Sequence, residues 1–357
     1  MAAKDKSRAS IHDVASRAGV SAATVSKVLR GTKTVKPANV EKVRMAVKEL
    51  DYRMDPLASS LRRARRQIIG FVLPELESEF FGTLTSHLEI LAEQAGYSLV
   101  IGSSHESEDR ERQLIERMHD WRVAGTILAP VRSERGQGAA VMKNRAMVGV
   151  LVDRVVANNN FDTVTADNAH ASAKVARSLI KAGHRHVLLL GLSDVSKNIR
   201  TRISAFKEQV EKSCPEMSVD VLLAGGPMYD LRILLGDYLE RNRPSAVFSL
   251  FQKGTMTVLS EFRRRSINCP EDISLVGFDD AEWMQATYPS ITVVAQPIAQ
   301  IAHQAFARLL SRIEGHAGYP VCQLEPCDFQ MRESLANIGA MQLSHTPNKR
   351  RGGSPPQ

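Results

Sequence analysis

The sequence predicts an all-α unit at the N-terminus, joined to an α/β core of two doubly wound parallel-sheet lobes. Three observations carry that expectation. The 357 residues exceed one ordinary core and suit two or three domains of roughly 100–200 residues each. Charge is uneven: residues 1–67 hold 16 Lys and Arg against 6 Asp and Glu, a net of +10, and the other 290 residues hold 31 against 33, a net of −2. From Ile68 onward, short apolar runs alternate with amphipathic ones, as parallel strands covered by helices on both faces require.

Ser10-Ile11-His12-Asp13 reads as a capping box before a short helix with Val14, Ala15 and Ala18 inward. Gly19-Val20-Ser21 makes a turn, and Ser21 caps a second helix, Ala22 to Leu29, with Val25, Val28 and Leu29 on its inner side. The spacing of Ala15, Gly19, Val25 and Val28 is that of a helix-turn-helix: a small residue at the crossing, a glycine at the turn, and branched residues beneath the second helix. A third helix is predicted from Pro37 through Val40, Val43, Val47 and Leu50. A basic segment alone could be a solvated tail. This pattern inside it points to a module that binds duplex DNA, where neutralised phosphates release counterions. Residues 1–52 form this headpiece. A break at 51–56 and a short segment at 57–61 follow, ending in Arg62-Arg63-Ala64-Arg65-Arg66.

The core expectation rests on strands at IIGFVLPE, YSLVIGSS, GTILAP, VGVLVD, VTADN, HVLLLGL, VDVLLAG, AVFSLF, ISLVGFDD and ITVVAQP. Helices fall between them at 80–95, 108–121, 134–144, 169–181, 200–212, 230–240 and 254–265, with a last one at 298–313. Ten or so strands suggest two sheets, and two such lobes face each other across a cleft at the carboxyl ends of their strands. The tail, 341–357, is polar and rich in Pro and Gly, and is expected to be disordered.

Several classes are disfavoured. No run approaches the roughly 18 apolar residues of a membrane span, and MAAKDKSRAS has no apolar segment of a signal peptide, so a cytoplasmic, nucleoid-associated protein is expected. Cys214, Cys269, Cys322 and Cys327 lack metal-ligand spacing, and no metal or cofactor is expected. Walker, GxGxxG, nucleophile-elbow and HExxH motifs are missing, so the chain is not expected to be an enzyme. His184 and His186 read as packing or surface residues.

The chain resembles the lac repressor and purine repressor family of bacterial transcription regulators. The residues carrying the resemblance are IHDVASRAGVSAATVSKVLRG at 11–31, VKELDYRMDPLASSL at 47–61, IIGFVLPELESEFF at 68–81, LIKAGHRHVLLLG at 179–191 and CPEDISLVGFDD at 269–280. The resemblance implies a DNA-binding headpiece, a hinge at 53–67, and a periplasmic-binding-protein-like core at 68–340 that dimerises and senses a small molecule. Its chain crosses between lobes near 165, 292 and 322. The implied role is ligand-controlled regulation, as a repressor, of a palindromic operator bound by a homodimer. An alternative is a ligand-independent DNA binder whose cleft Phe251 fills.

On this resemblance Ala22, Ala23 and Lys27 face bases, a methyl group meeting thymine and the lysine meeting guanine, with a phosphate contact as the alternative for Lys27. Ser21, Thr24, Ser26 and Asn39 meet phosphates, and Arg30 adds a backbone contact. Leu61 is the hinge residue that wedges into the minor groove; Met54, Pro56 and Ser59 depart from the usual hinge pattern, and a plain flexible linker is the alternative. In the cleft, Phe80 and Phe81 lie against the effector, Asp153, Arg202 and Asp279 hold polar groups, and Phe251-Gln252 stands where sugar-binding relatives often have Asn-Asp. With Arg200, Lys197 and Lys253 nearby in sequence, the expected effector is a carbohydrate-derived anion, a sugar acid or sugar phosphate.

Overall fold

The structure is a computed structural model that describes residues 9–29, 35–52, 67–133, 136–156, 159–192, 197–225 and 228–338. Internal contacts divide the chain into two units, 1–66 and 67–357. Residues 53–66 of the expected hinge with Leu61, Arg30, and the expected tail at 341–357 lie outside the described residues.

The first unit holds α1 (Ile11–Ala18), α2 (Ala22–Leu29) and α3 (Pro37–Glu49). Ser10 starts α1: its hydroxyl accepts from the Asp13 amide at 3.3 Å, and its own amide donates to the Asp13 carboxylate at 2.7 Å. Gly19 ends the helix at φ +66, a left-handed conformation that costs a residue with a Cβ about 1–2 kcal/mol. Val14, Val25 and Val43 are fully buried, and Ala15, Ala18 and Ala46 let the three helices approach one another.

The second unit contains two six-stranded sheets. In lobe 1 the chain runs through β1 (Ile68–Leu73), α4 (Glu79–Gln94), β2 (Ser98–Ser103), α5 (Glu108–Asp120), β3 (Gly125–Leu128), α6 (Gln137–Asn144), β4 (Gly149–Val152) and β5 (Asp162–Ala166). Lobe 2 follows with α7 (Asn168–Lys181), β6 (His186–Leu192), α8 (Lys197–Ser213), β7 (Ser218–Ala224), α9 (Met228–Arg241), β8 (Ala246–Ser249), α10 (Gln252–Arg265), β9 (Ser274–Phe278), α11 (Glu282–Ala286) and β10 (Thr292–Ala295). The chain then returns to lobe 1 for α12 (Ile298–Ile313) and β11 (Cys322–Glu325), and ends in lobe 2 with β12 (Asp328–Gln330).

The sheet orders are β11-β5-β4-β3-β1-β2 and β12-β10-β9-β8-β6-β7, parallel throughout except for the β10–β12 pair. Each order reverses beside its first strand, so the loops after β1 and β3, and after β6 and β8, splay apart and open a crevice. Apolar layers fill both faces of each sheet. Ile301, Ala305 and Leu309 of α12 pack onto Phe71 and Leu84 in lobe 1, and Phe206 and Val175 cover Leu189 and Phe248 in lobe 2.

Details depart from the sequence expectation. The interlobe crossings fall at 167, 296–297 and 326–327, a few residues beyond 165, 292 and 322, because β10 and β11 each complete a strand before crossing. Helix α8 begins at Lys197 and α10 at Gln252, earlier than expected, and α6 begins later, at Gln137. Strands β11 and β12 were not anticipated: they are edge strands with partly exposed residues throughout and no apolar run. His184 is buried between the Ser245 hydroxyl and the Ala336 carbonyl, a packing role.

Candidate functional site

The headpiece presents α2. Ser21 caps it, its hydroxyl accepting from the Thr24 amide at 3.2 Å and lying 2.9 Å from the Thr24 hydroxyl. Val25 points into the core, which leaves Ala23 and Lys27 exposed; four residues apart, they share one face of the helix. Ala22 does not share it. It is half-buried against the three-helix core, because one residue turns the helix by 100° and carries it off the Ala23 face. Ser26 and Asn39 are half-buried and Ser21 is exposed.

In the core, a cavity of about 430 Å³ lies between the lobes. Its walls are the carboxyl ends of strands and the loops after them: Glu75 and Ser78 after β1, Val131 and Arg132 after β3, Asp153 and Arg154 after β4, Phe251 after β8, Asp279 after β9 and Gln296 after β10. Phe80 and Phe81, packed edge to face at 5.1 Å, open helix α4 and close one side. Phe251 forms another wall and leaves the cavity open. A Cβ on Gly254 would come within 2.6 Å of the Phe251 ring, so the glycine gives the ring room against the start of α10.

Asp153 and Asp279 occupy equivalent places in the two lobes, each at a strand end in the left-handed region, at φ +60 and +74. Asp153 accepts from Asn198 Nδ2 at 3.0 Å, and Asp279 accepts from Gln296 Nε2 at 2.6 Å. Burial pushes both carboxyls above the usual carboxylate range, against the pull of Arg154 and Arg202 on Asp153 and of Arg202 on Asp279.

Arg202 is 4% exposed. Its Nε donates to Asn168 Oδ1 at 2.7 Å, its Nη1 donates to the Leu250 carbonyl, and its guanidinium carbon stands 3.3 Å from the centre of the Phe278 ring. Burial lowers its pKa, and Asp279 and Asp153 oppose that. Arg202 lines the cavity, and its Nη2 makes no hydrogen bond among the described residues. Arg200 does not join the site: two positions earlier, about 200° round the helix, it is exposed and outside the cavity wall.

Polar contacts join the lobes across this cleft. Lys253 Nζ lies 3.1 Å from Glu75 Oε2, Gln252 Nε2 donates to Glu79 Oε2 at 2.7 Å, Asn198 meets Asp153, and the Lys197 amide donates to Ser133 Oγ at 3.3 Å. Gln252 therefore lines the cavity with its amide already engaged. Arg154 is gripped by Glu106 at 2.7 and 2.9 Å, and Arg132 meets Glu108 at 2.9 Å. Four carboxylates, Glu75, Glu106, Asp153 and Asp279, balance four cations, Arg132, Arg154, Arg202 and Lys253, in the wall. The cationic excess expected from the sequence is not present there. Sequence reasoning missed Glu75, Glu106, Arg154, Asn198 and Gln296. Their signal was their position just after predicted strands or at a helix start, not their residue type.

Comparison with known proteins fits this geometry. Residues 10–55 match the family model described as bacterial regulatory proteins, lacI family, and residues 176–335 match the periplasmic binding protein-like domain. The HTH-type transcriptional regulator KdgR of Bacillus subtilis (strain 168) is 28% identical over 346 residues, covering 94% of this chain and all of that protein. The headpiece therefore carries the domain of the lacI family of bacterial regulatory proteins. The chain's relatives are named as transcriptional regulators and repressors. Among solved structures, the lac repressor dimer bound to operator and the anti-inducer ONPF superposes with a TM-score of 0.82 at 21% identity, over 92% of this chain and 100% of that one. The transcriptional regulator CelR in complex with cellobiose gives 0.67 at 22%, over 92% and 100%. Among the described residues, no helix is long and apolar enough to cross a membrane.

Proposed function

We propose that this chain is a lacI-family regulator, a cytoplasmic, nucleoid-associated repressor that binds a palindromic operator as a homodimer and is tuned by one sugar-derived effector in the interlobe cavity. The headpiece is the residues up to 52, the hinge is 53–67, and the core runs from 68 to 340. One headpiece reads a few base pairs through Ala23 and Lys27, and two of them related by a two-fold axis read an inverted repeat. Ser21, Thr24, Ser26, Asn39 and Arg30 hold phosphates, and Leu61 supplies the wedge.

The observation that carries the effector reading is the cavity itself: aromatic walls at Phe80, Phe81 and Phe251 beside Asp153, Asn198, Arg202 and Asp279. Apolar faces and a few convergent polar groups suit a small polyhydroxylated ligand. The cellobiose held by CelR supports the class. Arg154 is taken up by Glu106, while Arg132 and Lys253 are partly exposed, so Arg202 is the most buried cation of the wall, which suits a neutral sugar or a sugar acid with one carboxylate. A phosphate dianion would need a second cation to offset its desolvation.

Selection of duplexes from a random pool by the full-length protein tests the DNA half of this reading. The expected result is enrichment of an inverted repeat; enriched sequences without two-fold symmetry would overturn it.

The pH dependence of effector binding follows from Asp153 and Asp279. Ligand hydroxyls donate to the ionised carboxylates, and burial holds both pKa values high in the free protein. Binding therefore lowers them and releases protons, and affinity falls as pH drops through the raised values. Calorimetry in buffers of different ionisation enthalpy reads that release directly.

A further inference from the structure

A second, smaller cavity of about 120 Å³ adjoins the main one. Phe80, Gln252, Asp279 and Gln296 form the wall between them, lining both. Its remaining sides come from Glu79, Thr83 and Ile298 of lobe 1 and from Asp280 and Ala295 of lobe 2. It has room for several waters or for a short carbon arm.

Its chemistry is one-sided. No lysine, arginine or histidine lines it among the described residues. The charge of Asp280 is taken up by Arg332, which grips it at 2.7 and 2.8 Å. What remains is acceptor capacity, at Asp279, Glu79 and Thr83. In the shared wall, Gln296 commits its Nε2 to Asp279, and its Oε1 is buried with no partner. A buried carbonyl oxygen without a donor is costly, and this one, almost without accessible surface, gains a donor from the cavity when the Gln296 side chain turns toward it.

We propose that this compartment is a subsite for a hydroxyl-bearing arm of the effector, the terminal CH₂OH of a six-carbon sugar or sugar acid. The hydroxyl donates to the acceptors around Gln296 and Asp279, while the opposite end of the ligand meets Arg202. An acid group is excluded from the arm, because it would face carboxylates with no cation. The arm touches α4 from lobe 1 and Asp279 from lobe 2, so its presence sets the fit between the lobes. This inference rests on the reading of the main cavity as the site of a sugar-derived effector.

Calorimetric titration of the full-length protein with glucose, galactose, gluconate and galactonate, each against its 6-deoxy counterpart, tests it. For whichever parent binds, loss of the terminal hydroxyl is expected to weaken binding at least about tenfold, because buried acceptors are again left unpaired. Thr83→Leu, which fills the compartment, is expected to reduce that difference below about twofold while the 6-deoxy compound still binds. Gln296→Leu serves as the second variant. A 6-deoxy compound that binds the wild type as tightly as its parent overturns the subsite and leaves the effector reading standing. A 6-amino counterpart that binds more tightly than the hydroxyl compound also overturns it, in favour of an ammonium site. Failure of the whole panel to bind overturns the effector class and the subsite together.

Discussion

Ala23→Glu is expected to abolish operator binding, by more than about 100-fold at moderate salt, with the folded core intact. The side chain at 23 stands exposed on the same face of α2 as Lys27, four residues on. A carboxylate placed there faces the phosphates that give the complex most of its electrostatic drive, and it gains no partner for its desolvation. The helix itself tolerates the change, since glutamate costs a few tenths of a kcal/mol against alanine at an exposed position. Lys27→Ala is the companion variant. A base contact predicts a loss of about 1–3 kcal/mol concentrated on one base pair, whereas a phosphate contact predicts a uniform loss and a salt slope reduced by about one. Anisotropy titrations at several salt concentrations on the selected duplex separate these outcomes. Near-wild-type binding by Ala23→Glu would remove α2 from the interface.

Arg202→Met is expected to be the most damaging single change in the core. The guanidinium holds Asn168 and the Leu250 carbonyl, covers the Phe278 ring and feels the charges of Asp279 and Asp153. Removing it leaves Asp279 buried without its counter-charge and Asp153 with Arg154 alone, a change of the kind that costs about 3–5 kcal/mol. Effector binding is expected to vanish with it. Arg202→Lys keeps the charge but cannot reproduce the planar set of donors; it is expected to restore much of the thermal stability and little of the effector affinity. Thermal unfolding and calorimetry on both variants check this. Equal effector affinity in wild type and Arg202→Lys would show that only the charge matters.

The fold was largely legible because its signals are local. Ser10, Gly19 and Ser21 mark helix ends whichever way the rest of the chain packs, and runs such as HVLLLGL are too short and too apolar for anything but buried strands. Edge strands β11 and β12 were hidden for the converse reason: Cys322–Glu325 is half exposed and has no apolar periodicity to read. The cleft was legible at its floor and not at its rim. Asp153, Arg202 and Asp279 announce themselves as charges at strand ends or near a helix start, where burial demands a partner. The ion pairs at the rim, Glu75 with Lys253 and Glu106 with Arg154, join residues 178 and 48 positions apart, which no spacing rule connects. That is why a cluster of basic residues suggested a cationic cleft that carboxylates from both lobes cancel. Ala22 differs on a finer scale: a single step round the helix carries it from the exposed face of Ala23 to a place half-buried against the core.

The central claim is that occupancy of the interlobe cavity changes the grip of the headpiece on DNA. The direct test is the affinity of the full-length protein for its selected duplex at fixed salt, measured with and without the sugar or sugar acid that saturates the cavity. The expected result is a change of at least about tenfold in the wild type, in one direction, and none in Arg202→Lys at the same ligand concentration. An unchanged affinity in the wild type with the cavity fully occupied would contradict it.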